Sequence, residues 1–115
     1  MKKFLKSFTY ACKGIYSVIK EQQNFRIHVL ASFVVISFGF YFQVTTTEWC
    51  VLLVCIGGVL TLELINSSIE NLVDLVTTER KPLAGKVKDI AAGAVLVASV
   101  LSVIIGVLIF SKYIG

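Results

Sequence analysis

The sequence contains very little proline and few charged residues for its length. Its only proline is Pro82, 16% of its residues are charged, and 57% of its 115 residues are hydrophobic. A soluble domain of this length buries only part of its surface and could not hide so much apolar side chain. The excess apolar side chains must be covered by lipid or by a large oligomeric interface. We therefore predict a single membrane-embedded domain over residues 1–115.

Cysteine is scarce, and the common phosphate-binding and zinc-binding motifs are absent. The three cysteines, Cys12, Cys50 and Cys55, form no CxxC, and their odd number argues against a disulfide framework. We interpret Cys50 and Cys55 as small buried apolar residues. There is no GxxxxGK[ST] loop, no GxGxxG after a strand, and no HExxH or Cys/His cluster. If phosphates bind this chain, Mg²⁺ held by carboxylates must bind them together with lysines.

The N-terminal segment has the pattern of an amphipathic helix. Over residues 2–24, apolar side chains recur at three- and four-residue steps, the period of one helical face. They are Phe4, Phe8, Ala11, Cys12, Ile15 and Ile19. Lys6, Lys13 and Lys20 recur every seven residues and form a stripe on the opposite side. This pattern is typical of a helix that lies in the membrane interface without crossing it.

Three long apolar segments follow and predict an all-α integral membrane protein. The helices that contain these membrane spans are predicted over residues 27–44, 49–76 and 90–111. Thr45–Glu48 is interpreted as a polar turn between the first two spans. Pro82 and Gly85 are expected to break the helix before the third.

The distribution of basic residues predicts the orientation of the spans. Residues 1–26 carry six basic side chains against one acid, and residues 79–89 carry four more basic side chains. Both segments are expected in the cytoplasm, which places the N-terminus inside and Thr45–Glu48 outside. His28, the only histidine, follows Arg26 closely and is interpreted as an interfacial residue.

Polar and acidic side chains form a stripe on the second span. At about 100° per residue they share roughly a 100° arc of one helix. The members are Glu63, Asn66, Ser67, Glu70 and Asp74. A charge in lipid costs at least ~2.5 kcal/mol, so this stripe needs partners or a function. Glu63 lies 15 residues after Glu48, or about 22 Å along the helix, which places it just inside the cytoplasmic boundary of the bilayer.

Three segments of the chain resemble motifs of the prokaryotic diacylglycerol kinase family. The run ELINSSIENLVD, residues 63–74, resembles the signature of that family, and AGKVKDIAAGAVL, residues 84–96, resembles its second motif. Lys13-Gly14 and Asn24–His28 resemble its N-terminal pattern, and the resemblance extends over about residues 8–110. It implies a homotrimer in the bacterial cytoplasmic (inner) membrane that phosphorylates a lipid alcohol, diacylglycerol or undecaprenol, with ATP.

The resemblance also implies roles for individual residues. Glu63 corresponds to the proposed catalytic base and Asn66 to an active-site asparagine. Glu70 corresponds to a glutamate that holds the Mg²⁺ bridging the ATP phosphates, and so also belongs to the nucleotide site. The other residues expected at the nucleotide site are Tyr10, Asp74, Lys88 and Asp89.

One position departs from the family pattern. The family usually has a second metal-holding glutamate where this chain has Gln22, and the nearest acid is Glu21, one residue earlier. Either Glu21 reaches the metal by a local shift, or the site relies on Glu70 and a neutral amide.

Two other classes of function are consistent with the same residues. A small oligomeric transporter or channel would use Glu63 as its proton or cation site. An inactive membrane scaffold would account for Gln22. The sequence does not decide the acceptor lipid, although Asn24–His28 looks more like the undecaprenol kinase branch. No nucleic acid partner is expected.

Overall fold

The computed structural model describes all residues from 1 to 115 and contains only helices. They are α1 (Lys2–Glu21), α2 (Gln23–Phe42), α3 (Thr46–Val76) and α4 (Pro82–Ile114). α2, α3 and α4 are long and apolar enough to cross a bilayer. The predicted fold class, three membrane helices preceded by an N-terminal helix, is confirmed.

α3 and α4 begin earlier than predicted, and α2 is shifted a few residues toward the N-terminus. α4 begins at Pro82, well before residue 90, because proline is favoured in the first turn of a helix, where its missing N–H has no helical partner. Gly85 therefore lies within α4 and does not interrupt the helix. α3 has 31 residues and is about 46 Å long, so its last turns extend beyond a hydrocarbon core of about 30 Å.

The connection between α2 and α3 is tighter than the predicted polar turn. Gln43 adopts the left-handed conformation with φ 53° and ends α2. Thr45 caps α3 and forms a capping box with Glu48, in which each side chain accepts a hydrogen bond from the other residue's backbone N–H. Glu48 therefore belongs to the first turn of α3.

Glu48 also connects the start of α3 to the end of α4, which lies beside this turn. The Tyr113 hydroxyl donates to the Glu48 carboxylate, and Lys112 Nζ lies 2.5 Å from Glu48 Oε2. A small apolar cluster of Val44, Leu52 and Ile109 packs next to these contacts. The end of α4 is thus fixed to the start of α3, at the same end of the molecule as the α2–α3 connection.

Close packing of α2 against α3 depends on Gly39. A Cβ at this position would lie 2.5 Å from the indole ring of Trp49, so no larger residue fits without movement of that ring. Elsewhere the single chain is open, since only 11 of its 115 residues are buried. The exposed apolar side chains of the spans are suited to contact with lipid or with another chain.

The junction between α1 and α2 is held by Arg26. Gln22 interrupts the helix with an extended backbone, φ −111° and ψ 111°. Arg26 Nη1 donates to the carbonyl oxygens of Ile19 and Lys20, each at 2.9 Å. A guanidinium at these carbonyls satisfies acceptors that the end of α1 leaves open and complements the helix dipole. α1 has no buried residue, which agrees with an amphipathic helix at an interface.

The cysteines form no disulfide, as expected. Cys12, Cys50 and Cys55 are all free. Cys55 is half-buried, whereas Cys50 is exposed on α3, so the expectation that it would be buried was wrong for the single chain. Lipid tails are as apolar as a protein interior. A small apolar side chain on a membrane helix therefore gains no extra hydrophobic stabilisation from burial within the protein.

Candidate active site

The polar stripe of α3 runs from a buried end to an exposed end. Because α3 is helical from Thr46 to Val76, the sequence spacing places the stripe on one face of the helix. Glu63 and Ser67 are only 5% and 2% exposed, Asn66 and Glu70 are half-buried, and Asp74 is exposed. The stripe therefore presents its deepest carboxylate inside the protein and its outermost one to the surroundings.

Glu63 has one polar partner, and it comes from α2. His28 Nε2 lies 3.4 Å from Glu63 Oε1, and the His28 side chain is 26% exposed. His28, interpreted from the sequence as an interfacial residue, therefore also contacts the deepest carboxylate of the stripe. His28 lies 14 residues before the end of α2, and Glu63 lies 17 residues after the start of α3, so both are roughly 21–26 Å from the turn between the helices. This match in depth is a sequence signal for the pair, although it does not fix which faces of the two helices meet.

Asn66 and Glu70 form a second pair one turn further along α3. Asn66 Nδ2 donates to Glu70 Oε1 at 3.4 Å, a contact between residues four apart on one helical face. Asn66 Oδ1 is buried and has no hydrogen-bond partner. The pair therefore offers a carboxylate and an unpartnered amide oxygen, and oxygen ligands are those that Mg²⁺ prefers.

No larger cluster of metal ligands forms within the single chain. No group of three or more His, Cys, Asp and Glu side chains converges on one point. Mg²⁺ at a nucleotide is usually held by only one or two carboxylates, with substrate phosphates and water completing its shell. The donors at Asn66 and Glu70 fit that requirement.

Lys88 connects the second motif to the exposed end of the stripe. Lys88 Nζ donates to Asp74 Oδ1 at 2.6 Å, with both side chains partly exposed. This contact places a cation from the start of α4 beside the end of α3. Of the other predicted nucleotide residues, Asp89 follows Lys88 and is exposed. Tyr10 is 65% exposed on α1, and neither side chain hydrogen bonds to the stripe.

Glu21 and Gln22 lie across a cavity from the stripe. A cavity of about 470 Å³ separates the end of α1 from α3, and both residues line it together with Ser67 and Asn71. Glu70 does not line this cavity. The junction between α1 and α2 therefore brings both side chains to the side of α3 that carries the stripe, without joining either to the Asn66–Glu70 pair.

These features define a small multi-pass membrane protein with carboxylates, an amide and a lysine at one end of its spans, a set suited to phosphoryl transfer at the membrane surface. The sequence profile of the family described as prokaryotic diacylglycerol kinase matches residues 9–110, so the chain belongs to that family. It is therefore a membrane lipid kinase. A transporter, channel or inactive scaffold is not favoured by this membership.

Several relatives match nearly the same region. The chain is 44% identical over 110 residues to an undecaprenol kinase of Bacillus subtilis, covering 96% of this chain and 89% of that protein. It is 38% identical to a diacylglycerol kinase of Synechocystis, covering 89% of this chain and 59% of that longer protein. It is 31% identical to a diacylglycerol kinase of Haemophilus influenzae, covering 82% of this chain and 80% of that protein.

Proposed function

We propose that this chain transfers the γ-phosphoryl group of ATP to the hydroxyl of undecaprenol, with Mg²⁺ as cofactor. The observation that carries the proposal is the Lys88–Asp74 contact of 2.6 Å, which sets a cation beside the acidic stripe. Phosphoryl transfer needs mainly positioning and neutralisation of charge, and these groups supply both. The higher identity to the undecaprenol kinase than to the diacylglycerol kinases supports undecaprenol as the acceptor.

In the proposed reaction, Glu63 accepts the proton of the lipid hydroxyl as the alcohol oxygen attacks the γ-phosphorus. The bond from that phosphorus to the bridging oxygen breaks, and ADP leaves. Glu63 is buried on α3, at the depth where a lipid hydroxyl lies, and this position supports it as the base. Lys88, positioned by Asp74, neutralises the nucleotide phosphates. Asp89 and Tyr10 are proposed to contact the rest of the nucleotide.

The Mg²⁺ site is proposed at Glu70, with Asn66 Oδ1 as a second oxygen donor and Glu21 as the replacement for the acid missing at Gln22. When bound with ATP, Mg²⁺ would neutralise charge on the transferred phosphoryl group. The unpartnered Asn66 oxygen supports the Asn66 donor. Glu21 is proposed because it is the acid next to Gln22.

We further propose that the active form is a homotrimer with sites shared between subunits. The stripe belongs to one helix and can contact ATP and lipid from one side only. The small buried fraction of the single chain, 11 of 115 residues, leaves ample apolar surface for contacts between subunits.

The proposed location is the bacterial inner membrane with the N-terminus in the cytoplasm. In a variant with Cys12, Cys50 and Cys55 replaced by serine, we expect a membrane-impermeant thiol reagent added outside to label Thr46→Cys and to spare Lys86→Cys. Both positions are exposed, and the basic segments belong on the cytoplasmic side. Labelling of Lys86→Cys alone would contradict the orientation and the placement of the nucleotide site.

The acceptor is tested with purified protein, labelled ATP, and either undecaprenol or diacylglycerol in the same detergent micelles. We expect kcat/KM for undecaprenol to be at least about tenfold higher than kcat/KM for diacylglycerol. The two values are compared because their ratio measures discrimination between substrates. A Glu63→Gln preparation controls for contaminating kinases. Preference for diacylglycerol would contradict the acceptor assignment, and ATP hydrolysis without labelled lipid would contradict the proposed reaction.

A further inference from the structure

The carboxylate of Glu63 depends on a single neighbour for its orientation. It is buried, and its only polar contact is His28 Nε2 at 3.4 Å. A buried carboxylate with no polar or cationic group near it is costly, so the Glu63 side chain is favoured to keep its contact with the imidazole. Asn66, the next polar residue of the stripe, is instead paired with Glu70.

His28 stands between Glu63 and an apolar groove. A groove of about 770 Å³ runs between α2, α3 and α4, and His28 lines it whereas Glu63 does not. The backbone carbonyl of His28 accepts a hydrogen bond from Ser32 Oγ at 2.7 Å, one turn along α2. Its ring has no polar partner other than Glu63. The imidazole is therefore fixed on one side by the carboxylate and open on the other to the groove.

We propose that His28 is a positioning residue for the reaction, holding the Glu63 carboxylate in the orientation that accepts the lipid proton. With a proton on Nε2, the imidazole attracts Oε1 across 3.4 Å and leaves Oε2 for the alcohol. The proposal rests on Glu63 being the base. A displacement of a reacting group by about 1 Å can cost about 10²-fold in rate, so loss of this donor should act mainly on turnover.

The test compares two substitutions that differ in polarity at similar size. His28→Leu removes the donor and suits the apolar groove, whereas His28→Gln keeps an N–H near the position of Nε2. We expect His28→Leu to lower kcat about 10- to 100-fold and His28→Gln to restore most of it. KM for ATP and for lipid should stay within about twofold, because binding is not altered. The assay is lipid phosphorylation with labelled ATP in detergent micelles.

Further variants separate this role from simple packing. Ser37→Ala is the matched control, since Ser37 is exposed on α2 and bonds only to the Phe33 carbonyl. In a Glu63→Asp background, where the shorter carboxylate no longer reaches the imidazole, His28→Leu should have little further effect.

Each outcome bears on a different statement. If His28→Leu is as active as His28→Gln, or if it costs the same factor in both backgrounds, His28 is a packing residue and the inference is overturned. If Glu63→Gln retains parental turnover, the proposed base is wrong, whatever His28 does.

Discussion

Glu70→Gln should abolish lipid phosphorylation in protein that still assembles. Glu70 is the half-buried carboxylate of the Asn66–Glu70 pair and the proposed holder of Mg²⁺. A metal at the phosphates stabilises the transition state by several kcal/mol, which corresponds to a loss of roughly 10³-fold or more in rate. Gln keeps the shape of the side chain and removes its charge. The measurement is the initial rate of lipid labelling across a range of Mg²⁺ concentrations.

Three further variants show whether the effect is specific to the metal site. Glu79→Gln is the matched control, because Glu79 is an exposed acid beyond the end of α3 whose only ion pair is with Lys81 at 3.9 Å. If Glu21 replaces the missing ligand, Glu21→Gln should lower activity and raise the Mg²⁺ requirement. If Gln22→Glu increases activity while Glu21→Gln is silent, Glu21 is only a solvated charge. Glu70→Gln with normal activity would exclude Glu70 from the metal site.

Local patterns predicted most of the fold. Hydropathy and helical periodicity depend on neighbouring residues, so the three spans, the amphipathic helix and the stripe on α3 could all be predicted. The predicted positions of the helix ends were less accurate, because each end depends on single residues. The capping box of Thr45 and Glu48 has a readable S/T-x-x-E pattern that the sequence analysis missed, and Pro82 starts a helix that it was expected to break.

Contacts between helices could not be predicted in the same way. The His28–Glu63 and Lys88–Asp74 contacts join residues 35 and 14 positions apart, and they depend on how each helix is rotated toward its neighbour. Packing of small residues such as Gly39 against Trp49 sets that rotation. Glu48 shows the same limit, since its partners Lys112 and Tyr113 lie at the other end of the chain.

Glu63→Gln should lower turnover by at least about 10²-fold, because positioned acid–base groups typically contribute ~10²–10⁴-fold in rate. Glu63 is the buried acid of the stripe, and neutral Gln keeps its shape while removing the proton acceptor. Folding, formation of the proposed trimer and ATP binding should be close to those of the parent protein. The measurement is lipid phosphorylation per assembled trimer, with trimers isolated by size-exclusion chromatography and ATP binding measured on the same fraction.

The alternative is that Glu63 serves only to hold α2 against α3. The structure gives this alternative a definite partner, since His28 is the one polar group that Glu63 contacts. If helix pairing is the whole role, Glu63→Gln should reduce the yield of trimer, while the trimers that do form work at the parental rate. His28→Leu should then cause the same loss of assembly. If Glu63 is the base, Glu63→Gln should instead assemble normally and fail in turnover. A well-assembled Glu63→Gln trimer with parental turnover would remove Glu63 from the chemistry, and with it the reason for a carboxylate at this depth in the membrane.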